Sequence, residues 1–248
     1  MTDIILYGCC GKMGHAVSEL IDSKADCRIV AGVDIVNINT LPFPVYLDIS
    51  DVAESADVII DFSHPSTLSS ILSYCSEHKS TAAVLCTTGY SNEQVSDIKK
   101  HSENLSLFYS RNMSLGINLL IELTKKAALV LGDDFDIEII EKHHNQKIDA
   151  PSGTALMIAD SLNEQRNMKY EYDRHSQRKK RDKKEIGIHA VRGGTIVGEH
   201  EVLFAGRHET ISISHSAQSK ELFANGAVNA AVFMTGKKSG LYDMSDLI

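Results

Sequence analysis

Short apolar runs alternate with segments of helical periodicity along the first half of the chain. Apolar runs rich in β-branched residues are typical of buried strands, whereas apolar residues three and four positions apart indicate one face of a helix. The predicted strands are 3–7, 28–33, 56–62, 82–86 and 105–109, and the predicted helices are 15–21, 66–77 and 93–101. This alternation predicts an α/β domain with a parallel, doubly wound sheet.

The pattern changes after residue 112. A long helix over 115–131 leads into an alternating strand at 135–140 and a second helix at 155–162. Three strands follow, 186–191, 200–204 and 210–215, and their hairpin-like spacing predicts antiparallel pairing. A last helix over 221–234 is expected to return to the first domain, because chain termini often lie close together.

The two patterns predict two domains. Residues 1–112 with 218–248 form the first, and residues 113–217 form an α+β domain with a mixed, largely antiparallel sheet. Few helices are predicted in the second domain to cover both faces of that sheet. An uncovered face favours association with further subunits.

Composition narrows the class of protein. A chain of 248 residues with 43% hydrophobic and 23% charged residues is ordinary for a globular protein, and its net charge of −8 argues against nucleic-acid and membrane partners. Five cysteines without CxxC spacing indicate free thiols in a reducing compartment. With no apolar run of transmembrane length and no signal segment, a cytoplasmic location is expected. The basic run at 178–184 lacks interleaved aromatic residues and is interpreted as an exposed, solvated loop.

Three glycines follow the first predicted strand and open the first helix, with the spacing Gly8-x-x-Gly11-x-x-Gly14. This is a variant of the dinucleotide-binding fingerprint, in which the glycines permit a tight turn, approach of a pyrophosphate and close packing of helix on strand. Asp34 ends the second strand, where an acid accepts a hydrogen bond from a ribose hydroxyl. The alternative is a tight turn in a fold that binds no nucleotide.

A second candidate site lies between the strand at 135–140 and the helix at 155–162. His143, His144 and Lys147 come just before Pro151, at which the helix is predicted to begin. The backbone N–H groups of residues 152–154 are therefore expected to face an anion, and His143 or Lys147 to exchange a proton. The alternative is a surface loop with two solvated histidines.

These stretches together resemble the 4-hydroxy-tetrahydrodipicolinate reductase (dihydrodipicolinate reductase) family over essentially the whole chain. The resemblance implies a Rossmann domain and a mixed-sheet domain through which four subunits associate. It also implies NAD(P)H-dependent reduction of a cyclic dicarboxylate, with hydride added at ring C4 and water lost, in the diaminopimelate pathway of lysine biosynthesis. The motifs that carry it are Gly8-x-x-Gly-Lys-Met-Gly14, Asp61-Phe-Ser63, Thr87-Thr-Gly89, Glu141-x-His-His-x-x-Lys-x-Asp-Ala-Pro-Ser-Gly-Thr-Ala155, Arg192-Gly-Gly194, Val197-Gly-Glu-His200 and Gly240-Leu-Tyr-Asp-Met244.

The resemblance assigns roles to individual residues and implies no metal. His143 and Lys147 are the implied proton donors, and the substrate carboxylates are expected to be held by His144, Lys147, Gly153 and Thr154. Cys86 stands where the family usually has Gly. The implied cofactor-binding residues are Gly8, Cys9, Cys10, Gly11, Lys12, Met13, Asp34, Cys86, Thr87, Thr88, Ser110, Arg111, Asn112 and Met113.

NADH is expected to be favoured over NADPH. Asp34 is followed by Ile35 and Val36, neither of which can pair with a 2′-phosphate, and Lys12 is the cation nearest in the motif. Both nucleotides are therefore expected to work, with NADH having the lower KM.

Three other classes of protein fit less well. A short-chain dehydrogenase needs a Tyr-x-x-x-Lys pair, which the sequence lacks. A redox-sensing NAD-binding regulator needs a DNA-binding element, and none is legible in this acidic chain. A zinc hydrolase using His143 and His144 lacks a third ligand at suitable spacing, and adjacent residues on a strand point apart.

Overall fold

The computed structural model of the protein describes residues 1–36, 40–164 and 166–248. Within these ranges the chain forms two compact units, Met1–Leu115 with Glu221–Ile248 and Gly116–Lys220. The predicted boundaries lie within a few residues of these. No described helix is long and apolar enough to cross a membrane.

Strands and helices alternate through the first unit and part of the second. The described strands are β1 (Thr2–Tyr7), β2 (Cys27–Val33), β3 (Val45–Tyr46), β4 (Val58–Asp61), β5 (Ala82–Leu85), β6 (Ser106–Tyr109), β7 (Asp136–His143), β8 (Lys169–Glu171), β9 (Glu185–Arg192), β10 (Gly198–Ala205), β11 (Thr210–Ala217) and β12 (Gly240–Tyr242). The described α-helices are α1 (Lys12–Asp22), α2 (Leu68–Glu77), α3 (Asn92–His101), α4 (Leu115–Leu131), α5 (Gly153–Asn163) and α6 (Glu221–Met234). The sequence pattern did not predict the short strands β3, β8 and β12.

The first unit is a seven-stranded sheet with the order β12-β6-β5-β4-β1-β2-β3. Every neighbouring pair is parallel, which confirms the predicted doubly wound sheet. Because side chains alternate along a strand, Ile4 and Leu6 pack in a core with α1 and α6, whereas Ile5 packs with α2 and α3 on the opposite face. The carboxyl ends of β1 and β2 bring the glycine turn and Asp34 to the same edge of the sheet.

The second unit is built on a five-stranded sheet with the order β11-β10-β7-β9-β8. Its central strand, β7, has Ile137 and Ile139 buried against α4 and α5 in an apolar core that also contains Val202 and Phe204 of β10. This core covers one face of the sheet near the start of β7 and leaves the end of the same strand to polar residues.

The second sheet is mixed rather than largely antiparallel. β10 is antiparallel to β7 and to β11, as predicted for the last hairpin, but β9 is parallel to β7 and to β8. β9 and β10 are therefore not hairpin partners, because β7 lies between them. Helix α5 returns the chain after β7, so the next strands run in the same direction as β7.

The interpretation of residues 178–184 as a solvated loop is wrong for Arg181. Its guanidinium is mostly buried and bonds Glu138 Oε1 at 2.8 Å and Asp136 Oδ1 at 2.9 Å. It also donates to the carbonyl of Ile137 at 3.0 Å. The basic segment is thus held against the start of β7 by one arginine. Residue 165, in the same polar stretch, lies outside the described residues.

Candidate active site

The carboxyl end of β7 carries two buried ionisable side chains. Burial alternates along the strand, so Glu141 and His143 lie on the same face as Ile137 and Ile139. Glu141 is 0% exposed and His143 is 9% exposed. A carboxylate in such a position is expensive to bury unless it is paired and hydrogen-bonded, so its partners define the site.

Glu141 has partners for both carboxylate oxygens. Oε2 accepts from His143 Nδ1 at 2.6 Å, and the two Nη groups of Arg192 donate to Oε1 and Oε2, each at 2.7 Å. The N–H of Ser152 also donates to Oε1 at 2.9 Å. Burial by itself raises the pKa of Glu141, but these hydrogen bonds more than offset it and hold the pKa below its ordinary value. The group is therefore an anion that fixes the orientation of its neighbours.

His143 has a defined tautomer because its Nδ1 faces a carboxylate. An ionised carboxylate can only accept, so we assign a proton to Nδ1, which leaves Nε2 as the nitrogen that gains and loses a proton. The ring lies over Gly198 of β10, where an added Cβ would come within 3.1 Å of Nε2. A glycine at position 198 thus keeps the reactive edge of the imidazole clear.

Arg192 comes from the neighbouring strand β9, in register with His143. Besides its two bonds to Glu141, it donates to the carbonyl of Asp149 at 2.7 Å. The backbone carbonyl of His143 accepts from the N–H of Gly193 at 2.9 Å. One arginine therefore ties the acid of β7 to the loop that precedes α5.

Ser152 and His200 extend this network to the start of α5. The Ser152 hydroxyl caps the helix by accepting from the N–H of Ala155 at 3.1 Å, and it lies 3.0 Å from His200 Nε2. Burial, with the charge of His143 beside it, lowers the pKa of His200 to about 4. His200 is therefore neutral near pH 7, and its ring meets that of His143 edge to face with centroids 5.2 Å apart.

The structure revises the predicted helix start. Helix α5 begins at Gly153 with Ser152 as its N-cap, so Pro151 lies before the cap. The N–H of Ser152, predicted to face an anion, is instead used by Glu141. Gly153 is exposed, with nothing within 4 Å of an added Cβ, and Thr154 follows it in the first turn.

The other predicted side chains lie on the loop between β7 and α5. His144 directly follows the strand and is half-buried, and its carbonyl accepts from the N–H of Lys147 at 3.2 Å. The Lys147 ammonium pairs with Asp149 at 2.9 Å. His143, His144, Lys147, Gly153 and Thr154 thus belong to one short segment of the second unit, between the end of β7 and the first turn of α5.

The glycine turn of the first unit has the conformation that its sequence predicts. Gly8 has φ +81°, and an added Cβ would lie 2.7 Å from the carbonyl oxygen of Phe62. Gly11 is the N-cap of α1 in extended conformation and has no side chain to cap the helix. An added Cβ at Gly14 would overlap the carbonyl of Gly8. The turn therefore presents backbone and a helix N-terminus, which suits a pyrophosphate.

Asp34 lies beside this turn. Its Oδ2 accepts from the N–H of Cys10 at 2.9 Å, and its Oδ1 accepts from the N–H of Val36 at 3.3 Å. Lys12 is exposed in the first turn of α1, Met13 is half-buried beside it, and Cys9 is fully buried in the core below. The acid is thus held in place by backbone groups.

The remaining predicted cofactor residues follow β5 and β6. Thr87 is buried and Thr88 exposed, and Cys86 is 6% exposed in the core. Ser110 and Asn112 form a turn in which Ser110 Oγ donates to the carbonyl of Asn112 at 2.9 Å. Arg111 is exposed on this turn.

Met113 differs from the other residues of this group. Its side chain is 3% exposed and belongs to the core that α6 helps to form, and an added Cβ at Gly226 would overlap its carbonyl. The structure therefore gives the Met113 side chain a packing role.

The assignment of roles missed three residues of the network at β7, Glu141, Arg192 and His200, and the hydroxyl group of Ser152. Glu141 was detectable, because it lies two positions from His143 and in phase with Ile137 and Ile139. The partners from β9 and β10 were not, since they meet β7 only through the register of the sheet.

The site can act as an acid and base beside a place for an anion. A buried carboxylate orients an imidazole whose second nitrogen exchanges protons, and an ammonium and a helix N-terminus lie on the adjoining loop. A carboxylate-bearing substrate that must gain a proton matches both features.

Comparison with known proteins gives a consistent match across the chain. Two family models match, one described as dihydrodipicolinate reductase, N-terminus, over residues 2–113 and one described as dihydrodipicolinate reductase, C-terminus, over residues 116–248. Proteins named 4-hydroxy-tetrahydrodipicolinate reductase from Caldanaerobacter subterraneus subsp. tengcongensis and Clostridium tetani are 51% and 50% identical, each over 250 residues. These alignments cover 100% of this chain and 98% and 97% of the two relatives.

A solved structure agrees with these sequence matches. The dipicolinate-bound dihydrodipicolinate reductase from Paenisporosarcina sp. TG-14 is similar with a TM-score of 0.82 and 25% identity, and the match covers 100% of both chains.

Proposed function

This chain belongs to the dihydrodipicolinate reductase family, and from that premise we propose how its residues carry out the family's reaction. It reduces 4-hydroxy-tetrahydrodipicolinate to tetrahydrodipicolinate, a step of lysine biosynthesis through diaminopimelate. The reaction adds hydride to the ring, loses water and consumes a proton. The enzyme must therefore hold a dinucleotide, bind a cyclic dicarboxylate and supply protons.

The glycine turn fits a nicotinamide dinucleotide. Gly11 leaves the N-terminus of α1 open, and Asp34 is held where a ribose hydroxyl can donate to it. When bound, the dinucleotide supplies the hydride. The residues of the turn contribute backbone N–H groups that bind phosphate, and Asp34 contributes the acceptor that orients the ribose.

The pairing of His143 with Glu141 is the observation that supports the chemistry most directly. Glu141 holds the imidazole by Nδ1, so Nε2 is the nitrogen that can donate a proton to the substrate or accept one from it. Arg192 and the Ser152 N–H keep Glu141 ionised. His143 is thus the proton donor or acceptor, and Glu141 is its positioning residue.

Lys147 has two roles in this proposal. Its ammonium is the second proton donor and also attracts a substrate carboxylate. The Lys147 ammonium pairs with the Asp149 carboxylate at 2.9 Å, so the substrate carboxylate would replace Asp149 or share the ammonium with it. His144 and the backbone of Gly153 and Thr154 hold the carboxylates from the loop and from the first turn of α5. Dipicolinate, which is bound to the Paenisporosarcina reductase, is itself a cyclic dicarboxylate.

The subunits assemble as a homotetramer through the second sheet. The face of this sheet opposite α4 and α5 exposes Val191 by 44% and carries Ile140 and Leu203, half-buried, among charged residues. It is more polar than an uncovered core face, and its apolar residues are the surface that a partner would cover.

Light scattering at micromolar concentration should give four times the 27.2 kDa chain mass. A Leu203→Arg variant should dissociate, while Leu241→Arg, exposed on β12 of the other unit, should not. A monomer in the parent protein would contradict this assembly.

The experiment that tests the function is a coupled assay. A coupled synthase generates the substrate in place, and oxidation of NADH and NADPH is followed side by side. We expect turnover with both nucleotides. Dinucleotide binding without turnover would point to a sensor and contradict the proposal.

A further inference from the structure

Two adjacent thiols and a carboxylate meet at the glycine turn. The Sγ atoms of Cys9 and Cys10 lie 3.8 Å apart. A carboxylate oxygen of Asp34 completes the group, and the three ligand atoms all lie within 4.8 Å of one another. In the proposed cofactor site the backbone of this turn contacts the dinucleotide, and no role is assigned there to either thiol.

We propose that Cys9, Cys10 and Asp34 form a binding site for a soft divalent cation such as Zn²⁺ or Cd²⁺. Two thiolates bound to Zn²⁺ at about 2.3 Å with tetrahedral angles have their sulfurs about 3.8 Å apart, which is the separation seen here. The carboxylate is the third ligand and water the fourth. Thiolate ligands select Zn²⁺ and Cd²⁺ and disfavour Mg²⁺, which prefers oxygen.

The site is partly assembled before any cation arrives. The N–H of Cys10 bonds Asp34 Oδ2 at 2.9 Å and so fixes the carboxylate beside the turn. Cys10 is half-buried, and its thiol donates to the carbonyl of Val36 at 3.4 Å, a weak bond that metal binding would replace. A cation would approach from this side, since Cys9 is fully buried.

Binding of the cation would remove the protons from the thiols. Burial, with the neighbouring Cys10, raises the pKa of the Cys9 thiol to about 12, so without a cation this thiol keeps its proton. A coordinating thiol loses its proton to solvent, because the cation stabilises the thiolate directly.

Occupancy should exclude the dinucleotide. The cation would take the Asp34 carboxylate, which is the proposed acceptor for the ribose hydroxyl, and would stand beside the backbone that approaches the pyrophosphate. This part rests on the proposed cofactor site, whereas metal binding itself does not. Soft cations would then inhibit the enzyme by competing with NADH.

Titration of the full chain with Cd²⁺ tests the site directly, with the ultraviolet charge-transfer band of cadmium thiolates as the readout and a phosphine reductant present. Saturation is expected at one Cd²⁺ per chain. Loss of an outer partner of a metal ligand already costs roughly 10- to 100-fold in affinity, so Cys10→Ser should weaken binding at least that much. Asp34→Asn should weaken it while leaving the thiolate band. Cys75→Ser, which removes another fully buried thiol of the same unit, should change neither affinity nor band.

Equal Cd²⁺ affinity in Cys10→Ser and the parent protein would overturn the site, provided that melting followed by circular dichroism shows the variant to be folded. If Cys10→Ser does not fold, Cys10→Ala takes its place. Weaker Cd²⁺ binding by Cys10→Ala than by Cys75→Ser would support the site, and equal binding would overturn it.

Competition separates the metal site from the cofactor site. Saturating NADH should lower the apparent Cd²⁺ affinity by about tenfold or more, and excess Mg²⁺ should not. Unchanged Cd²⁺ affinity with NADH demonstrably bound would overturn the exclusion. Failure of NADH to bind at all would instead contradict the proposed cofactor site. The Cd²⁺ affinities of the Cys10 and Asp34 variants would then be the test of the metal site.

Discussion

The carboxyl end of β7 and the glycine turn after β1 are two candidate sites whose structures differ in kind. At β7, ionisable side chains from three strands hold one another in place: Glu141 and His143 of β7, Arg192 of β9 and His200 of β10. At the turn, the absence of side chains at Gly8, Gly11 and Gly14 lets the backbone pack closely on itself and leaves the N-terminus of α1 without a capping side chain. The first site is suited to moving protons, whereas the second is suited to holding phosphate without taking part in chemistry.

The difference predicts how each site fails. Removing a side chain at β7 should abolish turnover and spare dinucleotide binding. Adding a side chain at the turn should spare the catalytic groups and disturb binding. Each prediction below tests one side of this contrast, from the largest expected effect to the smallest.

The largest effect is expected from the proton donors. His143→Ala and Lys147→Ala should each lower kcat by about 10² or more, which is the lower range for lost proton transfer. His144→Ala should mainly raise KM for the dicarboxylate, because its proposed role is to hold a carboxylate. Steady-state kinetics in the coupled assay and NADH fluorescence titration separate the two effects, and NADH affinity should be unchanged in all three.

Glu141→Gln is the matched positioning variant. It keeps the shape of the side chain but removes the charge that orients the imidazole of His143. It should lower kcat and shift the pH profile of kcat, whereas a merely structural role would change stability alone.

For the proton donors themselves, near-normal turnover by Lys147→Ala would contradict the assignment of Lys147 as the second donor.

The second effect concerns the turn. Gly14→Ala would overlap the carbonyl of Gly8, and overpacking of this kind costs about 1–3 kcal/mol, with a fall in Tm of roughly 2–4 °C per kcal/mol. The methyl group of Gly11→Ala would meet Gly8 only at 3.4 Å, an ordinary contact, so Tm should not change. Yet Gly11→Ala places a methyl where the pyrophosphate approaches, and KM for NADH should rise roughly tenfold, or about 1.4 kcal/mol. An unchanged KM in Gly11→Ala would show that the dinucleotide does not lie against this turn.

The contrast also explains what the sequence could predict. The glycine turn is local: strand, turn and helix follow one another, and the acid comes twenty residues after Gly14, so a single pass along the chain predicts Gly8, Gly14 and Asp34 in their observed places. The parallel sheet follows from the same local alternation.

The network at β7 is not local. His143, Lys147 and a helix soon after them were predictable because they share one segment. Arg192 and His200 reach Glu141 and Ser152 only through the pairings of β7 with β9 and β10. Hairpin spacing favoured pairing of β9 with β10, and that error hid the arrangement. A buried acid needs partners, and the sequence alone does not say which strand supplies them.

A third effect is expected in acid. Burial, with the charge of His143, lowers the folded-state pKa of His200 from 6.5 to about 4. A lowered folded pKa means that the unfolded chain binds the proton first, so stability present above pH 6.5 is lost as the pH falls towards 4. Between about pH 7 and pH 5 the loss should be about 2 kcal/mol. Tm measured over this range should fall less in His200→Gln than in the parent. His208→Gln, at an exposed position, is the control and should follow the parent. Parallel curves for His200→Gln and the parent would contradict the buried neutral state of His200.

The smallest effect tests whether the turn acts through backbone alone. Asp34 accepts two backbone hydrogen bonds and would meet a 2′-phosphate with its own negative charge, and the residue after it, Ile35, is 90% exposed and cannot pair with a phosphate. Lys12 is an exposed point charge in the first turn of α1, and such a charge contributes up to about 1 kcal/mol, or roughly fivefold in affinity. NADH should therefore have the lower KM in the parent enzyme.

Lys12→Ala should lower kcat/KM for NADPH by up to about fivefold and leave kcat/KM for NADH nearly unchanged. Lys24→Ala, beyond the end of the same helix, is the control and should leave both values unchanged. A strong preference of the parent for NADPH would refute the role given to Asp34. Equal losses with both nucleotides in Lys12→Ala would mean that this side chain serves the shared pyrophosphate, so that the turn binds through a side chain as well as through its backbone.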